Sequence, residues 1–248
     1  MSLFDILILF VVGVAAGFLN VIAGGGSVFT LPALIFLGLD SSLANGTNRI
    51  AVFAQSVFAV ASFKRKKLHQ FKLSSTLALL TLPGAVAGAL IAIRVSDALF
   101  QRILGVVMIL VVISLFLPPP SSLKISRKNG IPSWLLYPVL VGIGFYGGFL
   151  QVGVGFLFMA ALYHLLLPDL VKVNMHKVFI IMLYTVPALI VFALTGNVDW
   201  KLGIALGAGN SLGGWWGARV SVVGGEKVIR TILALSIIIM ALKLFGAY

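Results

Sequence analysis

The chain has no cysteine, and only six of its 248 residues are acidic. Without thiols there are no disulfides, no thiolate metal sites and no cysteine nucleophile. The acids Asp5, Asp40, Asp97, Asp169, Asp199 and Glu226 all fall at or near the ends of apolar segments, so no carboxylate stands mid-segment to relay a proton. Three histidines without carboxylate partners at ligand spacing argue against a metal site. No nucleophile and base stand out either, so the chain does not read as an enzyme and needs no cofactor. Charged residues of both signs make up only 10% of the sequence against 60% hydrophobic, with a mean hydropathy of +1.15. That composition excludes a soluble domain built around one core. The net charge of +12 comes from Lys and Arg in short clusters between apolar runs, which is the bias of membrane-protein loops rather than a nucleic-acid surface.

What is present is a duplication. The stretch from Gly13 to about Leu117 recurs from Gly142 to Phe245, so each residue of the first copy has a counterpart 129 positions later. The offset pairs Gly26 with Gly155, Phe29 with Phe158, Asp40 with Asp169, Asn45 with Asn174 and Lys72 with Lys201. It also pairs Gly84, Gly88 and Ala89 with Gly213, Gly217 and Ala218. Shared apolarity alone would not hold polar and glycine positions in register. Two copies of a membrane unit are the usual construction of a secondary transporter, because pseudo-symmetric halves can expose one central site to each side in turn. The sequence therefore divides into a first membrane repeat at 1–117, a cytoplasmic linker at 118–132 and a second repeat at 133–248.

Apolar segments fall near 3–22, 28–39, 42–63, 73–93, 98–117, 133–152, 156–168, 174–195, 202–222 and 229–246. The first has no Lys or Arg ahead of it and carries Asp5, so it reads as a retained membrane helix. A complete span needs about 20 residues, which 28–39 and 156–168 lack. Each short segment follows a glycine cluster, Gly24-Gly25-Gly26 or Gly153-Val154-Gly155, which predicts a helix broken within the membrane beside a cavity. The fold class is thus an all-α, multi-pass membrane protein, each half a glycine-broken helix followed by three transmembrane helices. The basic run Lys64-Arg65-Lys66-Lys67 and the linker cations Lys124, Arg127 and Lys128 should be cytoplasmic. If each broken segment turns back, the halves are inverted and Lys172, Lys177, Lys227 and Arg230 are cytoplasmic too; if each crosses, the halves are parallel. The charge bias favours inversion.

A helix beginning after Gly26, with Ser27 available as its cap, would aim its amides and the positive end of its dipole at the break, and its counterpart after Gly155 would do the same. Glycine suits such a break because no side chain blocks the backbone. For Gly84, Gly88, Gly213 and Gly217, at small-xxx-small spacing, close helix packing is the better reading. Candidate substrate-binding residues are Gly24, Gly25, Gly26, Ser27, Gly153 and Gly155, with Asn20, Asn45, Thr47, Asn48, Arg49, Gln151, Asn174, His176 and Lys177. Arg49 and Lys177 carry most weight, since a cation in the apolar layer needs an anion, a carbonyl or water. His176 could titrate near neutrality and take a proton with the substrate.

The run from Gly17 to Phe53, GFLNVIAGGGSVFTLPALIFLGLDSSLANGTNRIAVF, resembles the first signature of the TauE/SafE family of sulfite and organosulfonate exporters. The matching features are the glycine triplet, Pro32 and the Ala44-x-x-Thr47 element. The stretch Thr195–Ser221, TGNVDWKLGIALGAGNSLGGWWGARVS, is similar to the family's Gly-Asn-Val-Asp-Trp loop and the glycine-rich helix after it. The second half departs from the pattern where Val154 interrupts the triplet, Ala161 replaces the proline and His176 replaces the threonine. The resemblance implies a transporter in the inner (plasma) membrane, exporting a small sulfur-containing anion such as sulfite or sulfoacetate by alternating access. The alternative is an anion channel with the same electrostatics. The expected partners are the anionic substrate and the lipid bilayer, with no nucleic acid; the sequence leaves a homo-oligomer open.

Overall fold

The computed structural model describes residues 3–116, 133–166 and 169–244, all in helices and the short turns between them. The proposed cytoplasmic linker at 118–132 lies outside these residues, as do the side chains of Glu226 and Arg230. The helices are α1 (Leu3–Ile22), α2 (Ser27–Phe36), α3 (Ser41–Arg65), α4 (Phe71–Ala92), α5 (Asp97–Phe116), α6 (Leu136–Phe149), α7 (Val154–Leu165), α8 (Leu170–Leu194) and α9 (Trp200–Leu244). Three of them are long and apolar enough to cross a membrane, over Asp5–Ile22, Phe71–Ala92 and Leu170–Leu194. Polarity is distributed for lipid: Arg49 and Lys177 are wholly buried, while Leu7, Val11, Leu79, Ile190 and Ile204 face outward.

The bounds follow the duplication. Those of α8 stand 129 residues after those of α3 at both ends, and α9 begins 129 residues after α4. The two segments expected at 202–222 and 229–246 are two helical stretches of α9 that part at Gly225, whose φ of +61° and ψ of −160° are not helical. The segments expected at 42–63 and 174–195 begin as helices at Ser41 and Leu170. An aspartate holds each start. Asp169 accepts the Val171 and Lys172 amides at 3.0 and 3.1 Å. At the start of α3 the carboxylate comes from another helix, Asp97 accepting the Ser41 amide at 2.6 Å.

The halves are interlocked by glycine. On α1, Gly13 and Gly17 lie against the backbone of α9 near Leu206 and Asn210, while Gly209, Gly213 and Gly217 of α9 lie against Phe10, Val14 and Phe18. The counterpart pair α6 and α4 does the same through Gly84, Gly88, Gly144 and Gly148. These contacts replace side chains with direct backbone approach, which is how helices associate without a hydrophobic drive. Between counterpart helices the register runs in opposite senses: Gly46 of α3 faces Phe192 near the end of α8, and Phe63 near the end of α3 clusters with Met175 and Val178 near the start of α8.

Candidate functional site

Both short segments follow real breaks. The chain leaves α1 at Ile22, turns with Gly24 at φ +96° and re-enters helix at Ser27. It leaves α6 at Phe149, passes through Gln151 and Gly153 at φ +66° and +70°, and re-enters at Val154. A left-handed Gln151 costs about 1–2 kcal/mol relative to a glycine there. The two breaks meet: a Cβ on Gly24 would fall on the backbone of Gly155, and one on Gly155 on the backbone of Gly24. Residues 20–28 and 150–155 are all buried. Two backbones without side chains close directly on each other here.

At the first break the polar side chains serve one another. Asn20 accepts the Gly26 amide at 3.2 Å and donates to Gln55 Oε1 at 3.2 Å, and Asn210 donates to the same oxygen at 3.4 Å. Asn48 accepts from Thr30 at 2.6 Å and donates to Ser27 Oγ at 3.3 Å. Ser27 therefore does not cap α2, whose N-cap is Gly26 without a side-chain bond. Lys177 reaches across from α8 to the end of α1, donating to the Val21 and Asn20 carbonyls at 2.7 and 3.3 Å, with Met159 Sδ at 3.8 Å.

The second break is arranged differently. Arg49 reaches from α3 to the end of α6, where Nη1 donates to the Gly147 carbonyl at 3.2 Å and Nη2 to the Gly148 carbonyl. Its guanidinium lies 4.6 Å from the centre of the Phe192 ring. Asn45 donates to the Phe149 carbonyl at 2.7 Å, and Gln151 to Thr185 Oγ1 at 3.3 Å. Among the described residues no carboxylate lies within ion-pair distance of Arg49 or Lys177. Both cations sit at the carbonyl ends of helices, where the dipole is negative.

Three of the sequence candidates are not brought to the breaks. Thr47 accepts the Asp199 amide at 2.9 Å, and Asn174 donates to Ser221 at 3.0 Å. His176 faces away from Lys177 toward α4, with Nδ1 2.8 Å from Ser74 Oγ and Nε2 3.2 Å from Gln70 Oε1, so both ring nitrogens are occupied. Conversely, sequence reading passed over Tyr184, Thr185 and Asn210. The offset held a signal for one of them, since Tyr184 is the counterpart of Gln55. Among the described residues no cluster of His, Asp and Glu could hold a metal.

A chain whose buried polar groups gather at two opposed helix breaks, under an apolar exterior, is built like a transporter, and its relatives carry that description. The family described as "Sulfite exporter TauE/SafE" matches residues 9–244. "Probable membrane transporter protein ORF9" of Sinorhizobium sp is 31% identical over 239 residues, which is 96% of this chain and 91% of that protein. A "Probable membrane transporter protein" of Haemophilus influenzae is 30% identical over 96% of this chain and 93% of its own length. YfcA of Escherichia coli K12, of the same description, is 29% identical over 96% and 88%. No solved structure matches the chain. Matched over nearly its whole length, the chain belongs to the TauE/SafE family of membrane transporters.

Proposed function

We propose that this transporter moves a small sulfur-containing anion, sulfite or an organosulfonate such as sulfoacetate, out of the cell across the inner membrane by alternating access. The observation that carries this reading is the meeting of two helix breaks at Gly24 and Gly155 in the buried centre of the chain. Helix starts at that depth favour negative charge, and half-helices of this kind line the midplane sites of secondary transporters. Two buried cations, with no carboxylate in ion-pair distance among the described residues, add positive potential there. The halves 1–117 and 133–248 act as inverted repeats in this scheme, a relation supported by the opposite course of α3 and α8. Direct contact between the breaks suits a carrier passing through a closed state better than a standing pore. An interior-negative potential favours efflux of a monoanion by about 2.3 kcal/mol per 100 mV, so no coupled ion is needed.

The test is flux in liposomes holding the purified protein. Sulfite and sulfoacetate uptake should saturate, and preloading the lumen with the unlabelled anion should accelerate it. Flux that rises linearly with concentration and ignores internal substrate would establish a channel instead; an absence of flux for every sulfur oxyanion would overturn the substrate class.

A further inference from the structure

Resting on the anion-transport reading, we infer that the substrate seat is one-sided: the second break binds the anion through Arg49 Nε, the Tyr184 hydroxyl and the Gln151 amide, while the first break is a structural copy whose cation is already satisfied. The two halves differ in what their polar atoms still need. Lys177 has three N–H groups and three acceptors in reach. Gln55, at the repeat position of Tyr184, has its oxygen taken by Asn20 and Asn210, and the atoms left without a partner on this side, Ser56 Oγ and Asn210 Oδ1, are uncharged. On the other side Arg49 spends Nη1 and Nη2 on carbonyls and keeps Nε without a partner, and Tyr184 Oη and Gln151 Oε1, side by side, have no partner beyond each other. All three residues are at least 99% buried.

These groups are neighbours. Tyr184 Oη stands beside Gly147, whose carbonyl Arg49 holds; a Cβ at Gly147 would come within 2.7 Å of it. The Tyr184 phenol lies within electrostatic reach of the Arg49 guanidinium and next to the Gln151 side chain. Arg Nε–H and phenol O–H are donors only an acceptor can satisfy, and a buried guanidinium without a carboxylate asks for an anion. The Gln151 amide adapts to the same ligand. Turned about its last bond, it accepts from the Thr185 hydroxyl and presents Nε2 as a third donor, since oxygen and nitrogen occupy equivalent positions. The ligand class is a compact oxyanion with its charge spread over several oxygens, which the head of sulfite or of a sulfonate provides and chloride does not.

The experiment uses the full-length protein in detergent and in liposomes, with sulfite, methanesulfonate and chloride as probes. The two oxyanions should raise the melting temperature of the wild type, with chloride inert. Tyr184→Phe keeps the ring stacked on Phe158 and removes only the hydroxyl. It should weaken half-saturation for both oxyanions about ten- to a hundredfold, the effect of one lost bond to a charged group. Should that variant fail to reach the membrane, Thr185→Val, which deprives Gln151 of its anchor, is expected to give a loss of the same sign. Wild-type half-saturation in either folded variant overturns the one-sided seat and leaves anion transport standing. A wild type that neither responds to nor moves any oxyanion overturns the transport reading itself.

Discussion

At the scale of single residues, the contact between Gly24 and Gly155 leaves no room for a methyl group, and the chain supplies its own control. Gly155→Ala should lower stability by about 1–3 kcal/mol, because the added carbon meets backbone that cannot step aside. Gly142→Ala, in α6 with nothing near its Cβ position, should be neutral or stabilise by up to about 1 kcal/mol. Melting curves of the two variants in one detergent check the contrast. The glycines at the breaks could be read from the sequence because the 129-residue offset isolates them. Tyr184 could be singled out only through the same offset, which sets it opposite Gln55, because a tyrosine inside an apolar run by itself reads as core. Arg49 and Lys177 were visible as costly charges, but not that each serves the last carbonyls of a helix from the opposite half.

At the scale of elements, the duplication preserves helix ends while changing how they are held. Asp169 caps α8 with its own carboxylate, whereas its counterpart Asp40 makes no side-chain cap and α3 relies on Asp97. Asp169→Ala should therefore cost about 1 kcal/mol, and Asp40→Ala a few tenths at most, compared by thermal melting. The turn after each of these helices is the same device. Lys67 and Gly196, counterparts in the repeat, both adopt positive φ, 58° and 73°. The next amide returns to the helix in each case, Leu68 to the Phe63 carbonyl and Asn197 to the Phe192 carbonyl. Segment lengths and the two short helices were legible in the hydropathy. The support of the α3 start was not, since a carboxylate borrowed from another helix leaves no periodic trace.

At the scale of the whole molecule, the opposite course of α3 and α8 makes a topological prediction that the absence of native cysteine renders simple to test. Lys67→Cys and Gly196→Cys place single thiols in the paired turns. A membrane-impermeant maleimide should label one from outside intact cells and the other only after the membrane is opened, with Lys67 on the cytoplasmic side. Labelling of both from one face would mean parallel halves.

The exchange of glycine-faced partners between halves also bears on how the protein is made. The smooth side of α1 closes against α9, a helix that leaves the ribosome nearly two hundred residues later. Until then α1 must wait in the bilayer with its backbone unshielded, as an early guest held by the insertion machinery or by lipid. A truncated first half should then be a substrate for membrane proteases, and assembly should be completed from the carboxyl end backward.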